Sequence, residues 1–139
     1  MIGVRLGTVA LVVRDYDEAI AYFVGTLGLV LVEDSDVGGG KRWVRVAAPG
    51  GGSALLLAKA VGDEQTAAIG KAGGGRVSYF LNTGDFWASY AELKSNGVDF
   101  VEAPRDEPYG RVVVFADLYG NTWDLVGLTA DAKANGASS

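Results

Sequence analysis

The 139 residues include no histidine and no cysteine. That removes the commonest general base, the commonest transition-metal ligand, the thiolate nucleophile and any disulfide. Chemistry is left to carboxylates, phenols and guanidinium groups. The most informative carboxylate is Asp124, within Tyr109–Gly127 (YGRVVVFADLYGNTWDLVG). Two apolar runs, Arg111–Ala116 and Thr122–Val126, flank Asp117-Leu118-Tyr119-Gly120-Asn121, whose Gly-Asn pair tolerates positive φ. This pattern predicts a β-hairpin. Alternation sets Thr122, Asp124 and Val126 on one face, Trp123 and Leu125 on the other. If Trp123 and Leu125 pack against helices, Asp124 projects from the opposite face, either as a solvated strand residue or as a functional group. Asp117 is expected to cap the turn. Asp106 and Glu107 sit in a Pro-flanked loop and read as solvated. Tyr79 and Tyr109 complete the acid–base candidates.

The elements that must position these groups occur twice. Val4–Val13 reads as a buried strand. Asp15 is expected to N-cap a helix, with Glu18 at the capping-box position. Ile20, Phe23 and Leu27 recur at helical spacing, and Gly28 ends the helix. Leu29–Glu33, Arg42–Ala48 and Ala54–Ala60 read as strands. Val61–Gly75 is polar and ends in three glycines, which predicts a linker with a short helix around Glu64–Ile69. Then Arg76–Asn82 is a strand, and Thr83 or Asp85 caps a helix bearing Phe86, Tyr90 and Leu93. Gly97 ends that helix, Val98–Glu102 is a short strand, and the hairpin closes the half. The repeated order predicts an internal duplication: a first module over 1–62, a linker over 63–75, a second module over 76–129 and a disordered tail over 130–139. The expected fold is α+β, two tandem βαβββ modules forming a cupped eight-stranded mixed sheet with helices on the outer face.

Hydrophobic residues make up 49% and charged ones 21%, which suits a globular chain and not a disordered one. The net charge of −5, with no Lys/Arg run, argues against nucleic acid and anionic membranes as partners. No apolar run approaches a membrane span and the N-terminus carries no signal pattern, so a cytoplasmic location is expected.

The duplicated order over about residues 4–128, the segment ALVVRDYDEAIAYFVGTLGL and the hairpin DEPYGRVVVFADLYGNTWDLVG together resemble the vicinal oxygen chelate superfamily. It includes glyoxalase I, extradiol dioxygenases, fosfomycin-modifying enzymes and bleomycin-resistance proteins. In its metal-using members the ligands stand near the start of the first strand and the middle of the last strand of each half. Carried over, those positions fall on Thr8, on Leu55 (or Leu56 if the turn is one residue longer), on Arg76 and on Asp124. One oxygen ligand is kept, and a cation stands where another belonged. A guanidinium cannot bind a metal, and a catalytic divalent ion usually takes about three protein ligands. The resemblance therefore implies the fold, with no metal and no other cofactor.

With Asp124 pointing inward, the ligand face would carry Thr8, Leu55, Arg76, Ser78, Phe80 and Asp124. Trp43 and Phe115 are aromatic candidates whose face alternation does not fix. Such a face suits an apolar or aromatic small molecule; its aromatics would otherwise simply fill a dry core. Arg76 and Asp124 are expected to compensate one another, within one chain or across the dimer. The expected function is metal-free binding of an aromatic or amphipathic ligand by a homodimer, as the resemblance to the bleomycin-resistance branch implies. The alternative is a glyoxalase- or dioxygenase-like lyase or isomerase using Asp124 in an atypical site. A third possibility is a protein whose dimer surface is its function.

Overall fold

The computed structural model describes residues 2–129. The tail expected over 130–139 lies outside the described residues. The chain forms two compact units, Met1–Ile69 and Gly70–Ser139. The fold is α+β, and each unit carries one mixed sheet.

In the first unit, β1 (Thr8–Val13) is followed by α1 (Tyr16–Ile20), which runs on as a π-helical segment over Ala21–Thr26. The Asp15 carboxylate accepts the Glu18 amide at 2.8 Å, as the N-cap reading requires. Gly28, at φ 83°, turns the chain out of the helix. Then come β2 (Val30–Gly38), β3 (Lys41–Ala47), β4 (Ala54–Lys59) and the short helix α2 (Gly62–Ala68). The sheet order is β1-β4-β3-β2, with β1 and β4 parallel. β2 is longer than expected because Gly38, Gly39 and Gly40, all at positive φ, complete the reversal in a tight turn.

The second unit repeats this arrangement. β5 (Tyr79–Asn82) leads to α3 (Phe86–Ser95), β6 (Asp99–Phe100), β7 (Arg105–Glu107), β8 (Gly110–Ala116) and β9 (Thr122–Leu128). The order is β5-β9-β8-β6, with β7 also on β8 and β5 parallel to β9. First strand beside last strand, in parallel, is thus common to both units, which is the topology a duplication leaves. Asp85, the second of the two cap candidates, accepts the Ala88 amide, while the Thr83 hydroxyl accepts the Asp85 amide.

Two further departures from the sequence reading bear on the site. β5 begins at Tyr79, not Arg76. The Arg76 amide donates back to the Gly73 carbonyl at 3.2 Å, so the glycine run is still turning there, and the Ser78 amide is the first to bond to β9, at the Thr122 carbonyl. β7 lies where two prolines suggested a loop. Pro104 and Pro108 flank it without entering it, which an edge strand tolerates.

Each sheet buries the face that meets its helix. In the first unit that face carries Leu11, Val13, Val44, Val46 and Leu57, all nearly inaccessible. In the second it carries Trp123, Leu125, Phe115 and Val113. The Phe86 side chain of α3 sits over Gly127 of β9 on this same face, so closely that a β-carbon at Gly127 would meet it.

Candidate functional site

The closing hairpin of the second unit is built on Asp117. Its Oδ1 accepts the Tyr119 and Asn121 amides at 2.9 and 3.1 Å, and its Oδ2 accepts the Trp123 indole N–H at 2.9 Å. Both carboxylate oxygens are thereby occupied, and Asp117 is a turn residue, as the sequence indicated. The turn fixes the register Phe115↔Trp123 and Val114↔Asp124. Phe115 therefore shares the helix face with Trp123, their rings stacked at 5.7 Å, and Phe100 closes on it at 5.9 Å. Phe115 is fully buried there. As a ligand-lining candidate it is corrected to a core residue.

Asp124 takes the opposite face, the consequence expected if Trp123 and Leu125 meet the helix. Its neighbour on β5 is Phe80 and its neighbour on β8 is Val114. Phe80 is 55% exposed, whereas Asp124 is only 5% exposed. Ser78, two residues before Phe80, falls on the same face by alternation, and its hydroxyl reaches the Arg76 carbonyl. No donor among the described residues reaches Asp124 Oδ1. Burial pushes the Asp124 carboxyl above the ordinary range. The Arg105 guanidinium opposes that shift and the Glu102 carboxylate adds to it.

The cation facing Asp124 is thus Arg105, a residue the sequence reading did not select. Arg76 is exposed, lies before β5, and makes no ion pair among the described residues. Within one chain, the expected compensation of Asp124 by Arg76 is therefore not formed. Arg105 faces the Asp124 side because it pairs with Val112, whose partner on β9 is Val126. Its Nε donates to Glu107 at 2.8 Å, and its terminal nitrogen is held by Glu102. Glu102 also accepts the Val114 amide at 3.2 Å, filling the gap in the ladder between β6 and β7.

In the first unit, the face turned away from α1 carries Thr8, Ala10 and Val12 of β1, Leu56 of β4, and Arg45 with Trp43 of β3. Trp43 is 38% exposed, and Arg45 is paired with Glu33 at 3.0 Å. Leu55 lies on the other face, opposite Val9 and Val46. Of the two alternatives left open by the turn length, Leu56 shares the face of Thr8, and Leu55 is corrected to the helix-facing side.

The remaining acid–base candidates are poorly placed. Tyr79 packs its ring against Trp123, tilted, at 4.7 Å between centroids, and burial together with the Asp117 carboxylate pushes its phenol up. Tyr109 is exposed at the strand edge. Among the described residues, no three His, Cys, Asp or Glu side chains assemble into a set that could hold a metal ion. The four carried-over positions supply one hydroxyl, one carboxylate, one aliphatic side chain and one guanidinium, which do not fit a divalent ion. No helix among the described residues is long and apolar enough to cross a membrane.

Comparison with known proteins agrees with this architecture. An uncharacterized protein of Shewanella frigidimarina (strain NCIMB 400) is 51% identical over 122 residues, covering 86% of this chain and 90% of that relative. Among solved structures, UcmS2 is 30% identical with a TM-score of 0.77, covering 90% of this chain and 98% of its own. TnmS3, an antibiotic binding protein from Streptomyces sp. CB03234, is 28% identical with a TM-score of 0.76, covering 93% of this chain and 99% of its own. The family model for the Glyoxalase/Bleomycin resistance protein/Dioxygenase superfamily matches residues 5–125, and the chain belongs to that superfamily.

Proposed function

We propose that this protein is a metal-free, cytoplasmic small-molecule-binding homodimer that holds an aromatic or amphipathic ligand, in the manner of drug sequestration. The observation that carries the reading is the pairing of Phe80, a large exposed aromatic, with Asp124, a buried carboxyl, as neighbours on the sheet face away from α3. A ring for stacking beside one convergent polar group is the usual composition of a small-molecule site. In the first unit, taken by itself, Trp43 is likewise an exposed aromatic, on the face with Thr8. The likeness to TnmS3 supports a ligand of antibiotic type. A second reading, an enzyme of glyoxalase or dioxygenase type, rests on the raised proton affinity of the Asp124 carboxyl, which would suit a general acid.

Phosphorylated ligands are disfavoured. Gly73, Gly74 and Gly75 lead into a strand, so no helix N-terminus stands behind them to receive an anion. A hydrophobic dye bound to the protein should be displaced by polycyclic aromatic compounds and not by nucleotides or phosphonates. Replacing Phe80 with alanine should weaken the aromatic competitor by roughly 10-fold, the loss of one stacking contact plus buried ring area. Displacement by nucleotides alone would reverse the assignment. Turnover of a 2-oxoaldehyde or a catechol, lost on Asp124→Asn, would establish the enzyme reading.

A further inference from the structure

The charged groups on the Asp124 side of the second sheet divide unequally. Arg105 has two carboxylates, Glu107 on Nε and Glu102 on a terminal nitrogen. Glu102 has both Arg105 and the Val114 amide. The Ser78 hydroxyl is directed to the Arg76 carbonyl. Asp124, the most buried of the charged groups, is the one whose Oδ1 no donor of the described residues reaches. Buried acceptors are seldom left in that condition, because the desolvation of the group is then uncompensated. Arg105 is already held by two carboxylates, and no other donor of the described residues takes its place at this oxygen. A metal ion is a poor candidate, since no second and third ligand of suitable type assemble around it.

We propose that the Asp124 carboxyl receives a hydrogen-bond donor carried by the aromatic ligand, a hydroxyl or an ammonium group, while the adjoining Phe80 takes the ring. This rests on the small-molecule-binding reading above and narrows it to ligands that present a donor at the edge of their aromatic system. Arg105 is a positioning residue in this arrangement. Its ties to Glu102 and Glu107 keep it from closing onto Asp124, and they leave an excess of negative charge that disfavours acceptor-only and anionic ligands.

The test is a set of equilibrium titrations, followed by tryptophan fluorescence, with anthraquinone and its 2-hydroxy, 2-methoxy and 2-aminomethyl derivatives. The hydroxy and aminomethyl compounds should bind at least about 10-fold more tightly than the methoxy compound, which matches the hydroxy one in shape but donates nothing. In Asp124→Leu that preference should collapse to within about 2-fold, because no acceptor remains. In Asp124→Asn, which keeps an acceptor oxygen at the same place, a reduced preference for the hydroxy compound should persist. A further gain for the aminomethyl compound, lost in Asp124→Asn, would assign the donor as a cation; equal binding of the two donors would assign it as neutral, and either supports the proposal. Equal binding of the hydroxy and methoxy compounds to the wild type would overturn it, as would a preference that survives in Asp124→Leu. If anthraquinone itself binds while donors confer no advantage, the binding reading stands and this inference falls. If none of the four compounds binds, both fall.

Discussion

Replacing Asp117 with alanine is expected to cost about 3 kcal/mol of unfolding free energy, more than any single surface change in this chain. Three donors lose their acceptor at once: the Tyr119 and Asn121 amides and the Trp123 indole. The amides belong to a turn whose Gly120 is exposed, so water can partly replace the carboxylate there. The indole cannot be rescued so easily, because Trp123 is 2% exposed and packed between the rings of Tyr79 and Phe115. The change also loosens the register that places Asp124 opposite Phe115's neighbour Val114, so ligand affinity should fall with stability. Urea unfolding of the wild type and the variant measures the difference. A cost below about 1 kcal/mol would mean that the turn holds its register without the carboxylate.

The second large effect has the opposite sign. Asp124→Leu should stabilise the protein at neutral pH by roughly 1–2 kcal/mol, since a buried charge without a hydrogen-bonding partner is replaced by a group that needs none. The pH dependence supplies an independent check. Burial raises the Asp124 pKa in the folded state, so the folded protein binds that proton more tightly than the unfolded chain does. Its contribution to stability is fully present below the ordinary carboxylate pKa and is lost as pH rises through the raised folded value. That component of the pH profile should be missing in Asp124→Leu. A variant that is less stable than the wild type at pH 7, with its pH dependence intact, would show that Asp124 is paired and ionised in the folded protein.

The repeated order of elements was legible because it is written in features with a local cause: capping aspartates, glycines after each helix and a turn of five residues closing the second half. The face taken by Asp124 followed from alternation once Trp123 was assigned to the helix side. What was not legible depended on register. A turn centred on Tyr119 pairs Phe115 with Trp123, but the sequence does not state where the turn is centred, so the face of Phe115 stayed open. The same one-residue ambiguity separated Leu55 from Leu56. Arg105 was missed for a different reason. Two prolines made its segment look like a loop, and the pairing of β7 with β8 is a long-range contact that no local propensity announces. Arg76 was assigned to a strand because RVSYFLN alternates well. The backbone instead keeps turning through Gly73–Arg76, and conformational freedom at Gly74 and Gly75, both at positive φ, permits it.

On the proposed function, an aromatic small molecule, and not a metal ion, occupies this protein when it works. Native mass spectrometry of the protein as isolated, and again after incubation with a donor-bearing polycyclic aromatic, tests it most directly. The expected result is a dimer mass, no stoichiometric zinc, nickel or iron, and one aromatic adduct per chain that is weakened in Phe80→Ala. Stoichiometric metal that survives gel filtration and is lost on Asp124→Ala, with no aromatic adduct at any concentration, would contradict it.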